Sequence, residues 1–455
     1  MAQTSNNPDI AEVPQGQAAV LGLQHLLAMY SGSVLVPLLI GSAMGFSASQ
    51  MTYLVSIDIF MCGVATLLQV RTNRFFGIGL PVILGCAIQA VEPLKLIGQR
   101  FTIGTMYGAI ISAGIFVFLI AGAFAKLKRF FPPLVTGTVI TVIGLSLIPV
   151  AFQNLGGGNL TAKTFGDGKN LMLGFLTALI ILAVNVWAKG FFHSIAVLVG
   201  LVIGTVVAGF MGMVSLTPVM TADWFHFPQF SYFGTPHFEW SSILTMILVS
   251  LVSMVESTGV YFALGDITER QIGSEDLKKG YRAEGLAIIL GGLFNTFPYT
   301  AFSQNVGLVQ LSGIKTRRPI YWAAGFLILL GLLPKVGALA TIIPAPVLGG
   351  AMLVMFGMVA MQGVRMLQQV DFTQDHNLLV AAVSIGLGLG VTVTPTIFQA
   401  LPKTLQLLLG NGIVIATISS VLLNTIFQHQ QHQSLAETAG LNEAADGEKG
   451  ENAEK

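Results

Sequence analysis

Charge is what this chain has least of. Only 9% of its 455 residues are Asp, Glu, Lys or Arg, against 53% hydrophobic, and the mean hydropathy is +0.77. A soluble domain carries about 25% charged residues, so the polar surface is too small to coat a water-soluble globule. That excludes an ordinary cytosolic enzyme. The 22 basic and 21 acidic residues leave a net charge of +1, which gives no electrostatic hold on a nucleic acid. Cysteine is equally scarce. Cys62 and Cys86 both sit in apolar runs with no CxxC or other metal spacing, so no disulfide framework, haem or metal motif is legible. An intramembrane enzyme is not expected either, since no HExxH or GxSxGD pattern is present. The stretch Met1 to Gly16 is polar and lacks the basic region and short apolar region of a cleaved signal peptide.

Long apolar runs, by contrast, follow one another almost end to end. A helix needs roughly 20 apolar residues to cross a bilayer. Hydropathy and charged punctuation give about 14 segments, near 18–41, 50–69, 76–94, 104–125, 132–153, 171–188, 192–212, 241–263, 283–296, 299–312, 319–334, 336–362, 377–397 and 405–427. The expected fold is an all-α polytopic membrane protein. With both termini cytoplasmic, inner loops and tails collect 16 Lys and Arg and outer loops 6, as the positive-inside rule asks. The organisation expected is a cytoplasmic tail over 1–17, seven segments over 18–212, an aromatic extracellular linker over 213–240, seven more over 241–427, and a disordered acidic tail over 428–455. An odd unit must flip its second copy, so seven plus seven implies an inverted repeat.

Transporter sites lie where short, Gly- or Pro-interrupted segments occupy matching places in two such halves. The third segment holds Gly77-Ile78-Gly79-Leu80-Pro81, then Val82-Ile83-Leu84, which reads as an extended piece before a half-helix. The tenth holds Asn295-Thr296-Phe297-Pro298, with Ser303 a natural N-cap for the half-helix that follows. Glycine and proline are common in membrane helices, but two breaks at equivalent places favour a site.

Three acids lie inside apolar runs, Asp58, Glu256 and Glu284, although a carboxylate at the bilayer centre costs about 2.5–3.5 kcal/mol. Glu256 is mid-helix and far in sequence from any base, so a functional role is expected, against a protonated side chain bonded to a neighbouring helix. Glu284 is two residues after Arg282, so a structural ion pair competes with function there. Asp58 fits an acceptor locking the second helix as well as a functional group. His25, after Gln24 in the first segment, either packs the site or touches the substrate. Gln304 and Asn305 are adjacent amides at the second break. An amide offers one acceptor and one donor group, and the edge of a purinedione alternates N–H and C=O in the same way. A carboxylate, an amide and the spare N–H groups of a half-helix N-terminus would hold such a ring in its plane.

The run Gln304-Asn305-Val306-Gly307-Leu308-Val309-Gln310-Leu311-Ser312-Gly313 resembles the signature of the nucleobase–ascorbate transporter family, the nucleobase:cation symporters. Gln24-His25, Val255 to Val260, Tyr281 to Gly285 and Gly291 to Asn295 are similar to its bacterial xanthine and uric acid permease branch, so the resemblance covers nearly the whole chain. It implies two inverted seven-segment repeats, short strands in segments 3 and 10, core and gate domains, and a homodimer. It implies Glu256 and Gln304 as ring contacts, Asn305 beside them, His25 shaping the site, and Glu284 in proton coupling. Ser312 replaces the signature's Thr, keeping a hydroxyl. Gln304 in place of Glu, and Val260 where uracil carriers have His, argue against a pyrimidine. Ala87 stands where some xanthine permeases have Asn, which leaves purine selectivity open.

The function expected is proton-coupled uptake of xanthine across the inner membrane, with uric acid or guanine as the alternative. No cofactor is expected, the proton being the coupling ion. An ionised, empty carboxylate in a low-dielectric site resists crossing, whereas proton and substrate together satisfy it. Either Glu256 or Glu284 fits the titrating role. The rival class is an anion exchanger or channel on a related inverted-repeat fold, which would favour a neutral or basic pocket.

Overall fold

The computed structural model describes residues 13–127, 132–402, 405–406 and 409–427. Most of the polar N-terminal tail and all of the acidic C-terminal tail lie outside the described residues. The first half opens with α1 (Gln15–Ser33) and α2 (Leu35–Ala43), which join at Val34 into one apolar span. It goes on through α3 (Ala48–Val70), β1 (Leu84–Cys86), α4 (Val91–Arg100), α5 (Ile103–Leu127), α6 (Pro133–Leu155), α7 (Gly168–Trp187), α8 (Phe191–Ser194) and α9 (Ala196–Phe210). Short α10 (Thr217–Thr221) lies in the aromatic linker. The second half comprises α11 (Trp240–Thr268), α12 (Ser274–Leu293), β2 (Tyr299–Ala301), α13 (Ser303–Ser312), α14 (Arg318–Gly331), α15 (Pro334–Thr341), α16 (Ala345–Leu367) and α17 (Asp375–Val393). A last helix, α18 (Gly412–Phe427), closes the described residues.

Local chemistry explains the helix starts. Ser47 and Gln50 form a capping box at α3. The Glu239 carboxylate takes the Ser241 and Ser242 N–H groups ahead of α11. Proline opens α6 and α16, where its missing N–H is not needed. Among the described residues eight helices are long and apolar enough to cross a membrane, or nine if α14 and α15, bent by 83°, make one span.

Several expected boundaries move. The twelfth segment does not run from 336 to 362. Residues 334–341 continue the eleventh through the bend, and Pro344 and Pro346 start a new helix at Ala345. The ninth begins at Ser274 rather than 283, because the charged turn holding Lys278 and Lys279 is helical although it is not apolar. In the third, α4 runs on to Arg100.

The two halves exchange places in the packing. α12 lies against α5 as α3 lies against α14, and α11 against α5 as α1 against α14, while α6 packs on α16. Close backbone approach makes this contact possible. A Cβ on Gly285 would meet the Phe118 nitrogen at 2.6 Å and the Gly114 oxygen at 2.9 Å. Small residues at such crossings are how helices associate where no hydrophobic force separates protein from lipid. Gly285→Leu is therefore expected to force α5 and α12 apart and lose at least about 1–3 kcal/mol. A fall in the thermal midpoint of the detergent-solubilised protein measures it, and an unchanged midpoint contradicts the crossing.

At the middle of the bundle β1 and β2 pair antiparallel, with Leu84 opposite Ala301, Gly85 opposite Thr300 and Cys86 opposite Tyr299. The register continues one bond further on each side, from Phe302 N–H to Ile83 O and from Ala87 N–H to Pro298 O. All six strand residues are buried in protein, the condition under which extended backbone is tolerated at membrane depth. Phe302 lies over Gly85, where any Cβ would sit 2.4 Å from the ring, so this strand position needs glycine.

Candidate functional site

Each strand leads into a half-helix, β1 into α4 and β2 into α13, and the two helix starts come together at the strand crossing. The 29 residues of α11 run past both. Ser253 and Glu256 are three apart on α11 and share a face. Gln89, in the turn between β1 and α4, reaches that face, its Nε2 donating to Ser253 Oγ at 2.7 Å and to Glu256 Oε2 at 2.9 Å. No Lys, Arg or His pairs with Glu256 among the described residues. The carboxylate is half-buried and its second oxygen carries no hydrogen bond among them.

The next face of α11 serves the strands and the second acid. Ser257 Oγ accepts the Ala301 N–H at 3.1 Å and lies 3.0 Å from Thr300 Oγ1. Tyr261, one turn on, donates to Glu284 of α12 and accepts from Gln69 of α3. Glu284 is thus hydrogen-bonded to a phenol rather than ion-paired with Arg282, whose guanidinium lies over the Phe118 ring at 5.7 Å. Burial is nearly complete at Glu284, 1% exposed.

His25 and Asn305 also meet. Asn305 Nδ2 donates to the His25 carbonyl at 2.9 Å and lies 3.1 Å from its Nδ1, tying α13 to α1. Asn305 Oδ1 is buried without a partner among the described residues. Gln304, one residue before, is exposed and free of hydrogen bonds among the described residues. Ser303 does not act as the N-cap. It is the first helical residue, Phe302 stands at the cap position, and no side chain caps the helix, so the first N–H groups of α13 stay unclaimed by a side chain. Ala87 is fully buried, and its N–H is spent on Pro298, so its side chain fills space behind the crossing.

Asp58 belongs to a different cluster. The Cys86 thiol donates to Asp58 Oδ1 at 2.8 Å, Cys62 Sγ is 4.0 Å from Oδ2, and Tyr299 Oη is 3.5 Å from Oδ1. Three ligand-type atoms within 4.8 Å of one another arise here without any metal spacing in the sequence. Ser33 joins the group by accepting the Cys86 N–H at 3.1 Å. The arrangement ties β1 and β2 to α3. It mirrors the other half, since Ser33 holds the end of β1 as Ser257 holds the end of β2.

A crossing of two strands, two half-helices starting beside it and a half-buried acid next to them define a membrane transport protein. The transmembrane domain of a cyanobacterium bicarbonate transporter, BicA, has the same fold, with a TM-score of 0.55 at 15% identity over 91% of this chain and 98% of that one. Residues 16–397 match the family described as Xan_ur_permease, Permease family. The chain is 54% identical over 418 residues to the uric acid permease PucK of Bacillus subtilis (strain 168), covering 92% of this chain and 97% of that protein. With the xanthine permease of the same strain it shares 55% over 412 residues, 90% and 94% of the two chains. The chain belongs to this permease family, the nucleobase–ascorbate transporters, in the branch of the bacterial xanthine and uric acid permeases. It is a permease, not an enzyme, and the family works without cofactors.

In such a carrier, loss of the Asn305 tie is expected to weaken substrate binding. Asn305→Ala removes the side chain that anchors the start of α13 to α1. Two hydrogen bonds of about 0.5–1.5 kcal/mol each set the expected loss, roughly a tenfold rise in KM with the maximal uptake rate less affected. A KM unchanged in transport assays would detach Asn305 from the site.

Proposed function

We propose that this permease takes up a purine nucleobase together with a proton, with xanthine as the first candidate substrate and uric acid as the alternative. The observation that carries the reading is Glu256, an acid at the half-helix starts with no cationic partner among the described residues and one unclaimed oxygen. A buried carboxylate without a counter-charge is tolerated when a proton or a donor-rich ligand satisfies it. An oxopurine supplies ring N–H donors to Glu256, while its carbonyls suit the free N–H groups of α13 and the exposed Gln304 amide. The uric acid and xanthine permeases among the relatives support a purine, and their nearly equal identity leaves both rings in play. Glu284 then serves coupling, and His25 and Asn305 position the second half-helix.

Residues 18–212 and 241–427 form the two repeats in this reading, joined by an extracellular linker, with both termini cytoplasmic and the carrier a homodimer. Glu256 at the crossing and Glu284 behind it, neither paired with a Lys or Arg among the described residues, speak against an anion carrier on the shared fold. Proteoliposomes with an inward proton gradient test the proposal. Labelled xanthine or uric acid should accumulate, compete with each other and leak out when a protonophore is added, with or without Na+. Flux of chloride or sulfate with no purine requirement would sink it.

A further inference from the structure

Gln89 was invisible as a site residue in the sequence, yet the fold gives it a place equivalent to that of Gln304. Gln89 falls three residues beyond the end of β1, and Gln304 three beyond the end of β2. The strand pairing keeps one register from Ile83–Phe302 through to Ala87–Pro298, so the two amides occupy matching positions in the two halves. They differ in what holds them. Gln304 is exposed, whereas Gln89 is 3% exposed and locked onto α11.

The lock fixes the direction of the amide. Ser253 Oγ donates its single proton to the Val249 carbonyl at 3.2 Å, so it can only accept from Gln89. The Glu256 carboxylate is likewise an acceptor. A flipped amide would set Gln89 Oε1 against a carboxylate oxygen and against a hydroxyl whose proton is already used. Both Nε2 hydrogens are therefore consumed, and Oε1 is left over. Nothing donates to it among the described residues, and it is not sealed from solvent. The second Glu256 oxygen is in the same condition. Two adjacent side chains thus present unclaimed acceptors at the helix starts.

We infer that Gln89 is a specificity-determining residue, whose carbonyl oxygen accepts a second ring N–H of the oxopurine while Glu256 accepts the first. The inference rests on the purine reading above. It makes the site selective for rings with two N–H groups within reach of this acceptor pair. A ring bearing C–H or a bare nitrogen opposite Oε1 leaves that acceptor without a partner, and sites built around a hydrogen bond reject analogues that lack it.

The test is competition of labelled xanthine and uric acid uptake by the 1-, 3-, 7- and 9-deaza analogues, which replace ring nitrogen by carbon without adding bulk. It is run on the wild type and on Gln89→Met, which keeps the side-chain volume and loses the acceptor. In the wild type, two deaza positions should each weaken competition by about tenfold, the scale of a lost hydrogen bond. In Gln89→Met one of those penalties should shrink to below about twofold, while the other, due to Glu256, persists. Penalties that are all unchanged in the variant overturn the role of Gln89 alone. Should the variant not fold, the wild-type series decides by itself, because a single sensitive position leaves no second N–H for Gln89 to hold. Absence of competition by any oxopurine overturns the purine reading as well, so the two failures are told apart.

Discussion

Glu256→Gln abolishes gradient-driven accumulation of purine, with an expected loss of at least about a hundredfold in uptake efficiency. A hydrogen bond to a charged group contributes about 1.5–3 kcal/mol, and the substitution removes more than one such bond. The ring N–H loses its charged acceptor, and Gln89 loses the carboxylate that, with Ser253, orients its amide. The helix itself is undisturbed, since glutamine matches glutamate in size and Ser257 and Tyr261 keep the neighbouring face of α11 joined to β2 and α12. The measurement is initial uptake of labelled xanthine and uric acid in vesicles, normalised to protein in the membrane. Near-normal accumulation would remove Glu256 from the mechanism.

Glu284→Gln separates binding from coupling. Glu284 lies one layer behind the crossing, reached through Tyr261 rather than exposed to substrate. The variant should still bind purine, with a KM within about threefold of the wild type, the effect expected of one altered neutral hydrogen bond. Accumulation should nevertheless fall to equilibration, because no proton is picked up and released at this position. Exchange of labelled for unlabelled purine should persist and no longer respond to the imposed pH gradient. If Glu284→Gln still concentrates purine against its gradient, and a protonophore still collapses that gradient, the coupling proton belongs to Glu256 alone.

Much of this arrangement is legible in the residues taken one by one. The interruptions at Gly77 to Pro81 and at Pro298 are local, since glycine and proline break a helix wherever they fall, and each break is followed by a short strand and then a half-helix. Glu256 and Glu284 stand out because an acid in an apolar run is costly whatever surrounds it. Ser303 fails as a cap for an equally physical reason. The chain enters α13 directly from a strand bond at Phe302, which leaves Ser303 inside the helix. The split falls at Pro344 rather than at the charged Lys335, because Pro334–Thr341 continues the preceding helix through its bend and two prolines start the next one. Gln89 and Tyr261 left no signal, and nothing local foretold that Asp58 meets Cys86 and Tyr299. Gln89 and Glu256 are 167 residues apart, and Asp58 and Tyr299 are 241 apart.

The sequence by itself determined that the chain lies in a membrane, that its apolar segments are interrupted at two matching places, and which acids are out of place there. Those are properties of each segment against its solvent, summed residue by residue. Only the tertiary structure decided that β1 finds β2, that Gln89 closes on Glu256, and that Glu284 answers to Tyr261 instead of Arg282. Each is a directional bond between distant parts of the chain. Its partner is chosen by how whole helices pack, not by any pattern within one of them.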